Sequence, residues 1–132
     1  MNRLRLRWVI LVASVSLVAA AAPSKWIEVN GGSWRVDPSM LSEVQAALRS
    51  ALPNADGGKL RKWDAYTYQY QGKSSVLGNR YVFVNAFCST NSDDNQIRTE
   101  WVEVYDGGTC YFQVEYDLKT KQLRKLQVNG EA

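Results

Sequence analysis

The chain contains no histidine, and only two of its 132 residues are cysteine. Without histidine there is no Ser-His-Asp or Cys-His relay, no imidazole general base and no imidazole metal ligand. The two cysteines, Cys88 and Cys110, are too far apart for a CxxC redox or zinc motif. No asparagine heads an Asn-x-Ser/Thr acceptor, which is compatible with bacterial export. The chain also lacks a long apolar run. Its best candidate, Trp8 to Val18, is interrupted by Ser14 and Ser16 and falls short of the ~20 residues that a spanning helix needs.

That short run has the flanks of an export signal. Arg3, Arg5 and Arg7 precede it, and Ala19-Ala20-Ala21 follow with the small residues that signal peptidase accepts. The pattern predicts a signal peptide over residues 1–21, cleaved after Ala21 or one residue earlier, and a single domain over 22–132. No cysteine stands near the cleavage site, so no lipid anchor and no stable membrane anchor are expected once the signal is gone. The destination is the periplasm or the extracellular space. Cleavage changes the charge: the full chain has 16 Lys+Arg against 13 Asp+Glu, and losing three signal arginines leaves 13 of each. A neutral domain lacks the basic footprint of a nucleic-acid binder, and its net charge exerts no pull toward anionic lipid.

Beyond the signal, Trp26, Ile27 and Val29 suggest a first strand, ended by the turn Asn30-Gly31-Gly32. Trp34 and Val36 belong to a second short strand or to the approach to a helix. Asp37 is a good N-cap and Pro38 suits the first helical position. Met40, Val44, Ala47, Leu48 and Ala51 then recur at helical spacing on one stripe, and Pro53 forbids continuation. A helix from Pro38 to Ala51 is predicted, with helical geometry disfavoured at Leu52. Strands are predicted over Trp63–Tyr70, Arg80–Cys88, Ile97–Tyr105, from Cys110 to Asp117 and over Leu123–Val128, with loops at 54–59, 71–79 and 89–96 and turns at 106–109 and 118–121. One N-terminal amphipathic helix against an antiparallel sheet of four to six strands is an α+β layer. At fold level alone it resembles the cystatin-like and NTF2-like architectures, a likeness that carries no function.

The cysteines constrain the strand order. In a simple meander Cys88 and Cys110 would lie on strands at least ~9.5 Å apart, whereas a disulfide needs Cα atoms within ~7 Å. Either the thiols are free, or the two cysteine-bearing strands are direct neighbours. Setting Cys88 opposite Cys110 pairs Ala86 with Phe112, Val84 with Val114 and Val82 with Tyr116 on an apolar face. The other face then pairs Phe87 with Tyr111, Asn85 with Gln113, Phe83 with Glu115 and Tyr81 with Asp117. The exported context and this register favour the disulfide, and they make Ile97–Tyr105 an excursion, expected as an outer strand.

Little else carries chemistry. Asp93-Asp94 with Asn91 and Asn95 lacks the spacing and turn glycine of a calcium loop and reads as solvated. Glu100, Glu103, Glu115 and Asp117 supply carboxylates on strands without singling out a catalytic pair. No catalytic, metal or cofactor site is predicted. Aromatic residues are abundant: Tyr66, Tyr68, Tyr70, Tyr81, Phe83, Phe87, Trp101, Tyr105 and Tyr111 exceed what one small helix covers. They are either a cross-strand ladder or a binding surface. The candidates for a binding face are Tyr66, Tyr68, Tyr70, Trp101 and Tyr105.

The segments Val84–Cys88 (VNAFC), Asp106–Asp117 (DGGTCYFQVEYD) and Val128–Ala132 (VNGEA) resemble small uncharacterised exported proteins of Gram-negative bacteria. The resemblance implies export and a compact domain and brings no activity. The expectation is an exported, non-enzymatic domain that binds a protein or a small ligand. An NTF2-like enzyme using a pocket carboxylate and a structural accessory protein of the envelope are the alternatives.

Overall fold

The computed structural model describes residues 25–130; the predicted signal peptide lies outside them. The described chain is an α+β unit whose sheet has five strands in sequence order. These are β1 (Lys25–Glu28), β2 (Thr67–Ser74), β3 (Arg80–Phe87), β4 (Tyr111–Asp117) and β5 (Gln122–Val128). Helix α1 (Pro38–Ala51) follows β1, and a short helix α2 (Asp94–Thr99) lies between β3 and β4.

α1 begins where its capping chemistry places it. The Asp37 carboxylate accepts the Met40 N–H at 2.8 Å, and Pro38 occupies the first turn, where no intrahelical donor is needed. Its inward stripe buries Val44 and Leu48, with Met40 and Ala47 packed beside them. α1 ends at Ala51 as expected, but helical geometry is not lost at Leu52. Leu52 keeps helical angles (φ −53°, ψ −44°) and is buried, and the chain runs on as a kinked 3-10 segment, Leu52–Gly58. Packing Leu52 into the core outweighs the pre-proline preference for extended backbone.

The strands bearing the cysteines pair as their residue faces require. Ala86 lies opposite Phe112, Val84 opposite Val114 and Val82 opposite Tyr116; on the other face Asn85 meets Gln113 and Phe83 meets Glu115. Just past this ladder Cys88 and Cys110 form a disulfide with Cα atoms 5.0 Å apart. Val82, Val84, Ala86, Phe112, Val114 and Tyr116 all face α1 and are nearly inaccessible to solvent.

Three expectations are corrected. The sheet is mixed, because β1 runs parallel to β2. The intervening connection contains α1, and a helical crossover returns the chain in the same direction. β2 starts at Thr67 rather than Trp63, since Trp63–Ala65 forms a 3-10 turn. Finally, Ile97–Tyr105 is not an outer strand. Asp93 and Gln96 form a reciprocal capping box, Gln96 N–H to Asp93 Oδ1 at 2.9 Å and Asp93 N–H to Gln96 Oε1 at 3.0 Å, which nucleates α2 inside the expected loop. The chain then crosses the sheet face opposite α1 in an irregular path, burying Ile97 and Val102 against Ile27, Phe87 and Tyr111.

An irregular segment laid on a sheet brings backbone groups that neither helix nor ladder satisfies. Side-chain amides on β2, β3 and β4 supply the partners. Gln69 donates through Nε2 to the carbonyls of Ile97 (2.8 Å) and Glu100 (2.7 Å). Its Oε1 accepts from Val102 N–H and Asn85 Nδ2, both at 2.9 Å. Asn85 also donates to the Val102 carbonyl at 2.9 Å and accepts from Gln113 Nε2 at 3.1 Å. Two residues along β2, Gln71 holds the carbonyls of Val29 and Asn30. Gln69 and Asn85 are fully buried, yet every hydrogen-bonding site of the Gln69 amide is used.

Two expected outcomes follow from this architecture. The protein purified under nonreducing conditions will have a mass two hydrogen atoms below that of the dithiol. Opening its 22-residue separation by Cys88→Ser/Cys110→Ser will cost about 3 kcal/mol in denaturant unfolding on the loop-closure model. Gln69→Leu, close in volume, strands the Val102 N–H and two carbonyls. It is expected to cost about 3 kcal/mol or more, more than an exposed Gln122→Leu control, which should stay within about 0.5 kcal/mol.

Candidate functional site

The aromatic residues singled out as a binding face do not form one surface. Tyr66, Tyr68 and Tyr70 point toward α1 and are 3 %, 0 % and 8 % exposed. Their rings belong to the core: Trp26 stacks on Tyr68 at 4.4 Å, and Tyr66 meets Phe112 edge-on at 4.9 Å. The hydroxyls of Tyr66 and Tyr68 are satisfied within the fold. Tyr68 donates to the Trp63 carbonyl at 2.7 Å; Tyr66 donates to the Thr109 carbonyl at 2.5 Å and accepts from Arg61 N–H at 2.9 Å. Burial pushes the pKa of all three phenols up, so they stay protonated. Trp101 and Tyr105 belong to the crossing segment instead. Trp101 packs edge-on against Phe83 at 5.1 Å, with the Lys73 ammonium 4.6 Å from the Phe83 ring. Tyr105 is 86 % exposed, its hydroxyl 3.4 Å from Glu103 Oε2. The aromatic surplus is thus divided between the two sheet faces, with Tyr105 left exposed.

The carboxylates are likewise dispersed. Glu115 and Asp117 grip Arg124, at 3.1 and 2.7 Å, and Lys125 stands 3.7 Å from Glu115. The backbone N–H groups of Thr120 and Lys119, followed by the Arg124 guanidinium, hold the Asp117 carboxyl below its ordinary range. That is a turn-closing role. Asp93 is the cap of α2. Its neighbour Asp94 pairs with Lys25 at 2.6 Å, and that hydrogen bond lowers the Asp94 carboxyl in turn.

An apolar recess lies elsewhere, where α1 runs out over the edge strand. Leu48, Ala51, Leu52 and Ala55 line it from the helical layer, and Phe112, Val114, Leu123 and Leu126 from the sheet, around a cavity of about 330 Å³. Its sheet wall is shaped by an irregularity. Between Glu115 and Gln113 the β4–β5 register slips, and Lys125 adopts φ +55°. The extra residue brings Leu126 onto the side facing α1. Arg124 and Lys125 contribute their stems to the lining while their charged ends turn to Glu115 and Asp117 across the sheet. The recess is therefore an apolar groove with its nearby cations already engaged. A second, wider and shallower depression of about 610 Å³ is polar, bounded by Ser89, Thr90, Asn91, Gln96, Glu103 and Tyr105.

None of the groove residues was singled out from the sequence as a binding residue. Leu48 and Ala51 read as core stripe, and Leu123 and Leu126 as strand. The only signal was the uneven spacing of apolar residues in β5, where Leu123, Leu126 and Val128 break strict alternation. The amide row was similarly visible as Gln69, Asn85 and Gln113 standing in otherwise aromatic and β-branched strands.

The Asp117 turn makes a pH prediction. Because its carboxyl is depressed in the folded state, its contribution is present above the ordinary aspartate value of about 4 and is lost as pH falls through the folded value. Asp117→Asn should melt below the native protein at neutral pH. The difference in melting temperature should shrink steadily as the pH is taken toward ~2; a constant difference would contradict this role. No protein-family model matches the chain, and neither does any curated protein or solved structure.

Proposed function

We propose that this chain is an exported, non-enzymatic binding domain, periplasmic or extracellular, that takes a small apolar ligand in the groove between α1 and β5. The groove itself carries the reading: a concave recess of about 330 Å³, at the lower end of ligand-site volumes, with apolar residues from two layers and no carboxylate in its lining. An intact disulfide suits an oxidising compartment, and among the described residues no helix is long and apolar enough to cross a membrane. The tripartite pattern of residues 1–21 supports export from the other side.

The enzymatic alternative requires a carboxyl group facing a pocket. Glu115 and Asp117 are turned instead to Arg124 on the opposite sheet face, and Glu103 borders only the shallow polar depression. Binding through the groove asks for no such group. It needs apolar surface to be withdrawn from water, which the leucines of both layers provide.

A neutral apolar dye such as Nile red tests this reading. The native protein should bind it with a blue-shifted emission. Ala51→Trp, at a partly exposed groove position on α1, should fill the recess and weaken binding about tenfold or more, with little change in melting temperature. Undiminished binding by the Ala51→Trp protein, or none by the native protein, would remove the groove as the ligand site.

A further inference from the structure

The turn between β2 and β3 projects two apolar side chains into water. Val76 and Leu77 are 104 % and 89 % exposed, at a place where Asn, Asp, Ser and Gly are usual. The turn is well formed. Ser75 N–H donates to the Asn79 carbonyl at 2.8 Å, Gly78 N–H donates to the Ser75 carbonyl at 2.9 Å, and Gly78 takes φ +85° to close it. The apolar pair thus sits on a hydrogen-bonded tip, and neither the core nor the turn geometry asks for it.

Charge around the tip supplies a second observation. Residues 73–80 and 118–125 hold Lys73, Arg80, Lys119, Lys121, Arg124 and Lys125 and no acidic residue. Both turns lie at the same end of the sheet, joined where Leu118 N–H donates to the Arg80 carbonyl at 3.3 Å. The neighbouring acids Glu43, Glu115 and Asp117 are engaged by Lys121, Arg124 and Lys125. Lys73 and Arg80 lie over the rings of Phe83 and Trp34, which steer a cation without neutralising it. Among the described residues, Lys73, Arg80 and Lys119 join no ion pair. A domain neutral as a whole is therefore locally cationic around an apolar point.

We propose that the β2–β3 turn is a peripheral docking tip for an anionic lipid bilayer, with Val76 and Leu77 entering the boundary between headgroups and acyl chains and Lys73, Arg80 and Lys119 remaining among the headgroups. Charge complementarity selects the anionic surface. Shape selects lipid over protein: a specific protein interface covers about 800 Å² per partner, far more than two protruding side chains supply, whereas a fluid bilayer accepts a convex tip without a matching cavity. Two apolar side chains and a few cations make a reversible attachment rather than an anchor. This docking is independent of the groove.

Vesicle sedimentation tests it. The purified chain, its first residue established by mass spectrometry, is mixed with vesicles of phosphatidylcholine alone or with added phosphatidylglycerol. The native protein should pellet with the anionic vesicles only, and less as salt is raised. Val76→Ser/Leu77→Ser should lower partitioning at least about tenfold. Lys73→Gln/Arg80→Gln/Lys119→Gln should lower it comparably and flatten the salt dependence. The exposed Val76 and Leu77 make no core contacts to lose, so the serine variant should melt like the native protein. All proteins compared share one N-terminus, so residues ahead of the domain cannot account for a difference between them. Native protein left in the supernatant with anionic vesicles overturns the proposal and leaves a protein partner for the tip. Equal pelleting with neutral vesicles, or a serine variant that pellets like the native protein, also overturns it.

Discussion

The structure depends on a buried amide. Gln69 uses both N–H groups and both acceptor positions, linking β2 to Asn85 on β3 and to three backbone groups of the segment that crosses the sheet. Without that side chain the crossing segment would bury polar backbone with no partner, at a cost of several kcal/mol. The disulfide and the amide divide the task. Cys88 and Cys110 fix the two ends of the excursion in adjacent strands, and Gln69, Asn85 and Gln113 hold its middle against the sheet.

Covering the second face determines where recognition can occur. With α1 on one side and the excursion on the other, the aromatic side chains of β2 become interior, and the open sheet surface that would have displayed them does not exist. What remains accessible is the periphery. The groove forms where α1 ends over a bulged edge strand, and the apolar tip forms where the β2–β3 hairpin extends past the layers on either side. The bulge at Lys125 interrupts the outer edge of β5 and turns Leu126 toward the groove. A regular β5 would present a better edge for unwanted strand pairing and a flatter groove wall.

Much of the α1 side of this arrangement was legible in the amino-acid order. Asp37-Pro38 marked the start of α1 and its apolar stripe marked its inner face, because capping and helical periodicity are short-range properties. Alternation together with the reach of a disulfide favoured the pairing of β3 with β4, and the structure chose it over free thiols. The second layer was harder to see. Ile97, Val102 and Val104 suit a strand by propensity, but the Asp93/Gln96 capping box in the loop ahead of them starts a helix that runs through Ile97 to Thr99. Tyr66, Tyr68 and Tyr70 were correctly placed on one side of their strand, yet alternation does not say which side is covered. The groove escaped notice because its walls come from α1, the following 3-10 segment, β4 and β5, each of which looks locally like ordinary core.

The sequence by itself determined the α+β class, the position and inner face of α1 and the absence of histidine chemistry, and it reduced the cysteine-bearing strands to one register or free thiols. Each of these rests on interactions within a few residues or on a single covalent constraint. Tertiary structure alone decided the direction of β1, the path of residues 89–106 across the second face and the existence of the groove. Those features depend on hydrogen bonds and packing between residues far apart in the chain: Gln69 reaches Val102, Gln71 reaches Val29, and Leu48 shares a cavity wall with Leu126. Such partners become defined only when the layers meet, since each buried backbone group must then find whichever donor or acceptor the fold has brought beside it.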